Sequence, residues 1–515
     1  MGYVGLSLAT LLSQENEVIA VDIDQKRVDL VNQRISPIED KKITEYFETK
    51  DLNLKATLDY NEALEGAEYV IIATPTNYDV ETGMFDTSSV EAVIDEVIKT
   101  GVETTMIIKS TIPVGYIEYI RKEKGIDNIF FSPEFLREGW DTFRAAHPLY
   151  TLLYPKIAVQ FVRDMVLHHE TYGYLPIWDL WGQDNYCMIG NHAIPVVADA
   201  ILSELPGLDV ERAYKAMVES STRTHPNSPF EVWEECGYMP QNKQNVSVSI
   251  TMEQAFDDWC VAAVAKKLGK QADYERFIKR SEFYRNLFNP ATGFFQPKDD
   301  KGNWIEPFDP LSYEEPCFVE GNAWQYMWFV PQNPQGLIDL FGGVKPFIKK
   351  LDENFTLTET SGEVNGNASG FIGQYAHGNE PSHHTVYLYN FAGQPWRTQE
   401  LVEQVRSQFY NATPCGYAGN DDCGQMSAWY IFSALGFYPF NAGSAEYVIG
   451  TPLFRRAVLH MPTGKDLTIN APRKSDKAIY VKGVKLNGKK VADWKLTHRQ
   501  LLDGGTLDFT MSEKK

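Results

Sequence analysis

Apolar and polar positions follow two different rhythms along the chain. Up to about Gly139, short apolar runs alternate with stretches of helical period. The runs Glu17–Asp22 (EVIAVD), Tyr69–Thr74 (YVIIAT), Thr105–Ser110 (TMIIKS) and Asn128–Ser132 (NIFFS) predict strands, and Gln25–Gln33, Ser88–Lys99 and Tyr116–Lys124 predict helices between them. That alternation predicts a Rossmann-like α/β unit with a doubly wound parallel sheet. From Trp140 to about Tyr438 long helical patterns dominate, among them His192–Leu205, Met252–Leu268, Tyr274–Leu287 and Gln399–Tyr410. Loops rich in Gly, Pro and Asn separate them and carry polar clusters. Paired helices with functional loops at one end predict an α/α toroid. After Phe440 short runs return, at Tyr447–Ile449, Ala457–His460, Leu467–Ile469, Ala478–Val484 and Thr506–Phe509, and predict a C-terminal β module. The expected units are therefore 1–139, 140–440 and 441–515.

Composition sharpens the boundary at Gly139/Trp140. All 11 Trp, 6 Cys and 10 His follow it. The first part holds 13 Lys/Arg against 26 Asp/Glu, a net of −13, and the second 35 against 43, a net of −8. The total of −21 argues against a nucleic-acid or anionic-membrane partner, since both need a basic face. No apolar run reaches the roughly 18 residues of a membrane span. Met1–Ala9 (MGYVGLSLA) carries neither a basic stretch nor a cleavage site, so it does not read as a signal peptide and cytoplasm is the default expectation. The Cys residues are isolated, with no CxxC, which argues against a zinc site; Cys415 and Cys423 flank one loop and are the pair to consider in an oxidising compartment.

In the first part, Gly2-Tyr3-Val4-Gly5 opens an apolar helix, and a strand ending in Asp22 follows. Glycines at such a turn let backbone approach a pyrophosphate, and an acid about 20 residues on bonds a ribose hydroxyl. Tight helix packing would also select the glycines. The segments GYVGLSLA, VDID, ATPTNYD, KSTIPVGY and SPEFLREG together resemble the UDP-glucose/GDP-mannose dehydrogenase family over all of residues 1–139. The resemblance implies NAD held by Gly2, Gly5 and Asp22, Thr111 beside the reacting centre, and Glu134 and Glu138 orienting water. It also implies a strand before GYVG and a later domain carrying a catalytic Cys with Lys and Asn partners. Nothing after Gly139 resembles that domain, so no dehydrogenase turnover is expected, and at best weak NAD binding.

In the second part three loops concentrate chemistry: Glu320–Tyr326 (EGNAWQY), His377–His384 (HGNEPSHH) and Gly419–Ser427 (GNDDCGQMS). Each couples carboxylates to aromatics, amides or imidazoles, as carbohydrate sites do, and a pair of carboxylates supplies a general acid and a general base. Structural readings stand beside these. Asp421-Asp422 is also a helix N-cap pattern. Glu320 beside Gly321 is another, Trp324, Tyr326 and Trp328 fit a core, and His192 fits a satisfied core histidine. His383-His384 lacks the spacing of a helical metal pair.

WDTFRAAHPL, CMIGNHAIPV, EGNAWQYMWFVPQ, HGNEPSHH, GNDDCGQMSAWYIFSALGFYP and YVIGTPLF resemble glycoside hydrolase family 92 throughout residues 140–515. That resemblance implies an exo-acting, inverting, calcium-dependent α-mannosidase releasing terminal mannose from α-mannosides. It implies Glu320 as general acid and a base in the GNDD loop, Asp422 with Asp421 assisting. It implies Ca²⁺ near Asn379 and Glu380, and a mannose pocket lined by His377, His383 and Trp324. The family's usual N-terminal β-sandwich is expected to be replaced here by the dehydrogenase-like segment, and its enzymes are typically exported. Three readings follow: a mannosidase-like hydrolase fused to a nucleotide-fold segment, an NAD/UDP-sugar-binding protein with an inert helical part, and an inactive fusion.

Overall fold

The computed structural model describes all residues except Met1, 39–40, 75–76, 80–83, 111, 113–115, 132–139, 181–182, 185, 226–228 and 414–415. The chain divides into two compact units, one built mainly from Met1–Leu136 and the other from most of the remainder.

In the first unit, α1 (Tyr3–Leu12) leads into β1 (Val18–Val21), and α2 (Gln25–Asn32) follows. β1 pairs in parallel with β2 (Leu54–Thr57). A second parallel ladder joins β3 (Tyr69–Ile72), β4 (Thr105–Ile108) and β5 (Ile129–Phe131), with α3 (Ser88–Thr100) and α4 (Tyr116–Lys124) between its strands. Strand alternation sets the faces: Ile72, Met106, Ile108 and Ile129 are buried, while Tyr69 and Phe130 point the other way and are exposed. Among the described residues the two ladders share no hydrogen bonds. The single sheet expected from the α/β rhythm is thus split between β1 and β3, whose outer edges are left open. Each ladder has its own core, Leu6, Val31 and Phe47 for the first and Val90, Ile94 and Ile120 for the second.

The second unit is helical and then β. Its helices include α5 (Pro155–Tyr172), α6 (Ala193–Leu202), α7 (Ser247–Lys267), α8 (Gln271–Arg280), α9 (Ala323–Tyr326), α10 (Pro395–Phe409) and α11 (Gln425–Leu435). α7 is buried along nearly its whole length and packs against α6 and α8. The closing module is a five-stranded sheet of β6 (Arg456–His460), β7 (Asp466–Asn470), β8 (Tyr480–Leu486), β9 (Lys489–Lys490) and β10 (Gly505–Ser512), in the order β6-β7-β10-β8-β9. The β7–β10 pair is parallel and the others are antiparallel. A second, three-stranded sheet joins Phe437–Tyr438, Glu446–Ile449 and Lys495–Thr497.

Candidate active site

Three carboxylates from distant parts of the second unit converge. Asp141 precedes the short 3₁₀ helix Thr142–Arg144, Glu380 opens another at Glu380–Ser382, and Asp422 lies just before α11. One oxygen of each lies within 4.8 Å of the others. Asp141 and Glu380 are buried and Asp422 is half-buried. Burial, and then the charges of Asp141 and Asp422, push the Glu380 carboxyl well above the usual carboxylate range. Glu380 and Asp422 stand within hydrogen-bond reach of each other. The other Glu380 oxygen, Oε1, has no hydrogen-bond partner among the described residues.

Backbone geometry sets the two acids proposed for catalysis apart from their neighbours. Glu320 adopts φ 52°, and Asp422, Cys423 and Gly424 form a run at 45°, 55° and 93°. Left-handed conformations at non-glycine residues cost about 1–3 kcal/mol each and persist where surrounding structure over-determines them. The determinants are visible. Asn379 donates from Nδ2 to the Glu320 carbonyl (3.1 Å) and accepts from the Glu380 amide (3.1 Å), tying the two loops together. Asn322, not Glu320, caps α9, in a capping box with Gln325. Asp421 accepts through Oδ1 from the amide (3.0 Å) and hydroxyl (2.8 Å) of Ser427 in the first turn of α11, so one of its oxygens holds that helix end. Of the adjacent pair, Asp422 is the one that reaches Glu380.

The residues expected to line a mannose pocket are all buried. His377 and His383 are fully buried. The His377 ring nitrogens engage the Tyr375 and Tyr410 hydroxyls at 2.7 Å each. His383 Nε2 faces the His377 carbonyl (3.0 Å) and must donate, so Nδ1 accepts from Gln425 Nε2 (3.0 Å). Gln425 Oε1 accepts in turn from the amides of Ala145 and Ala146 (2.9 and 3.1 Å). Burial holds His377 well below the usual imidazole range and brings His383 down to about 3. Both are neutral residues whose ring nitrogens are engaged within the protein. Trp324 is 5 % exposed, with Lys350 Nζ 3.8 Å above its ring and Phe294 edge-on at 5.0 Å. His192 is fully buried, as a core histidine would be, but its two nitrogens face two carboxylates, Glu253 at 2.6 Å and Asp257 at 2.9 Å.

In the first unit Gly2 caps α1, and Gly5 faces strand β3's end, where an added Cβ would sit 3.5 Å from Ala73. Asp22 follows β1, is buried, accepts from the Asp24 amide (3.0 Å) and lies 3.8 Å from Arg27. Thr111, Glu134 and Glu138 lie outside the described residues, as does Cys415 of the Cys pair.

Sequence reasoning missed Asp141. It lies in the run Trp140-Asp141-Thr142-Phe143-Arg144, all five buried in the structure.

Residues 100–513 match the glycosyl hydrolase family 92 catalytic domain, and residues 1–149 match the NAD binding domain of the UDP-glucose/GDP-mannose dehydrogenase family. Among solved structures, the chain is similar to a family GH92 alpha-mannosidase from Bacteroides thetaiotaomicron in complex with mannoimidazole, with 40% identity and a TM-score of 0.71 over 74% of this chain and 51% of that one. An inverting mannosidase of family GH92 from the same organism gives 38% identity and a TM-score of 0.67 over 73% and 52%. An uncharacterized secreted glycosidase of Arthroderma benhamiae is 28% identical over 67% of this chain and 47% of its own length. The UDP-glucose 6-dehydrogenase of Streptococcus pneumoniae is 49% identical over 30% of this chain and 37% of its own. The chain thus spans about half the length of the glycosidases it matches, and joins a Rossmann-like segment to a helical toroid with a C-terminal β module. No helix among the described residues is long and apolar enough to cross a membrane.

Proposed function

Because the chain belongs to glycosyl hydrolase family 92 by its match over residues 100–513, we propose that it is an exo-acting, inverting α-mannosidase that removes terminal mannose from α-mannosides with the help of Ca²⁺. The observation that carries this reading is the convergence of Asp141, Glu380 and Asp422, tied through Asn379 to the backbone of Glu320.

The donor set fits a hard divalent cation. Three carboxylates share one small, largely buried space, with an orphaned oxygen on Glu380. All-oxygen donors suit Ca²⁺. Asp141, Glu380 and Asp422 would hold it, with the Asn379 amide oxygen alongside. A Ca²⁺ held there would supply positive charge beside the carboxylates and a Lewis-acid contact for the sugar. Glu320 donates its proton to the glycosidic oxygen as the bond to the anomeric carbon breaks. Asp422 takes a proton from the water that attacks that carbon from the opposite face, with Asp421 holding the start of α11 in place. Inversion needs the two carboxyl groups about 6.5–9.5 Å apart, with room for that water. Solvent exchange returns both groups to their starting state. The catalytic assignment is to 140–440, with 441–515 as a β module and 1–139 as a nucleotide-fold segment that performs no hydride transfer.

The test is mannose release from a synthetic α-mannoside by the full chain. Release is expected, β-mannose appears first by NMR, and a chelator abolishes it until Ca²⁺ is restored. Glu320→Gln lowers kcat by at least about 10²-fold. Release that ignores the chelator, or that survives Glu320→Gln, overturns the mechanism.

A further inference from the structure

We propose that His192 is a positioning residue: through Glu253 it locks the segment that presents Asp141 to the acidic site. Glu253 and Asp257 stand one turn apart on α7, so both point to the same side of that helix. His192, just before α6, sits against both: Nε2 is 2.6 Å from Glu253 Oε2 and Nδ1 is 2.9 Å from Asp257 Oδ1. Only the Glu253 contact is a hydrogen bond; Asp257 acts on the ring by proximity, and the two carboxylates together favour the imidazolium. Asp257 is fixed in turn by the Asn191 amide, 2.7 Å from Oδ2.

Glu253 is the hub. Its Oε2 accepts from the Trp140 indole (2.8 Å), and its Oε1 lies 3.5 Å from Arg144 Nη2. Trp140 and Arg144 flank Asp141, and Arg144 Nε closes the loop onto the Trp140 carbonyl (3.3 Å). Phe143, from the same segment, stacks on the His192 ring with centroids 4.6 Å apart and planes at 17°. The group is charge-neutral: two carboxylates, one guanidinium and one imidazolium, with Glu253, Asp257 and His192 wholly buried. Room for the ring depends on Gly190, where a Cβ would stand 2.6 Å from His192 Nε2.

Without the imidazolium, one buried carboxylate is left uncompensated. Glu253 then turns to whatever donor remains, and the Trp140–Arg144 arm that aims Asp141 loses its anchor. The consequence for the acidic site rests on the reading that Asp141, Glu380 and Asp422 hold a cation, but the effect on the arm does not.

Two readouts on the full chain separate these. The first is hydrogen exchange, without metal, at the Ala145 and Ala146 amides. His192→Gln is expected to speed it about tenfold or more, and Trp140→Phe, which removes only the indole donor, to speed it less. Arg280→Lys, which perturbs the Asp258 ion pair on the same helix, leaves it unchanged. Unchanged exchange in both His192→Gln and Trp140→Phe, or equal acceleration by Arg280→Lys, overturns the proposal. The second is calorimetric Ca²⁺ titration. His192→Gln is expected to weaken affinity about 10–100-fold, with no further loss in the double variant with Asp141→Asn. Additive losses also overturn it. A wild-type chain that binds no Ca²⁺ sinks the cation reading instead, and the exchange result still decides His192.

Discussion

At the scale of single residues, the adjacent pair Asp421 and Asp422 shows how one dipeptide divides its labour. Asp421→Ala is expected to cost about 1 kcal/mol of stability, as the loss of a helix cap does. Asp422→Asn is expected to leave the melting temperature nearly unchanged and to abolish mannose release. Equal loss of activity in both, each with an unchanged melting temperature, would contradict that division. The spacing of these acids was visible in the sequence; which one caps and which one faces Glu380 was not, because that depends on the three successive left-handed residues after Asp421. Asp141 was illegible for a related reason: its partners lie more than 200 residues away, and nothing local marks a carboxylate as shared. His192 carries a pH signature. Burial alone would lower its pKa, but Asp257 and Glu253 outweigh it and raise it to about 9. With the folded value above the ordinary 6.5, the stability from the charged ring is complete below about pH 6.5 and lost as pH rises through 9. The swing is about 3 kcal/mol. Thermal melts of the wild type should fall over that window, and those of His192→Gln should not.

At the scale of elements, α7 explains both what the pattern of apolar positions revealed and where it failed. The helix was read as beginning at Met252; it begins at Ser247. A helix buried on all sides has no polar stripe, so the 3.6-residue period fades, and Ser247, Ser249 and Thr251 read as loop although they are fully buried. Its core carries Glu253, Asp257 and Asp258, each with a cation against it. Glu253→Gln should therefore cost about 3–5 kcal/mol, because it strands His192 and Arg144 rather than removing a surface charge. A chemical denaturation midpoint close to that of the wild type would count against this. The helix α11 was marked in advance by the Asp-Asp-x-Gly pattern before it, whereas the single turn α9 lies inside a segment that reads as a loop. The strands of the β module were found by their alternation; four run one or more residues longer in the structure, as ladder pairing carries a strand past its apolar positions, and Ala478–Val484 is shifted to Tyr480–Leu486.

At the scale of the whole molecule, the two rhythms of the sequence correspond to two folds, and each fold's family was readable from ordered motifs rather than from composition. The split of the first unit into two ladders concerns pairing between strands, which apolar periodicity does not encode. The dehydrogenase-like segment should produce no NADH from UDP-glucose and NAD; sustained absorbance growth at 340 nm from the purified chain would contradict that assignment. The change of rhythm falls at Gly139, and the very next side chain, the Trp140 indole, is moored to Glu253 in the interior of the helical unit. Anchored by this side chain within its own unit, Asp141 should keep its place when residues 1–139 are exchanged for another segment, and mannose release by such a chimera is the check.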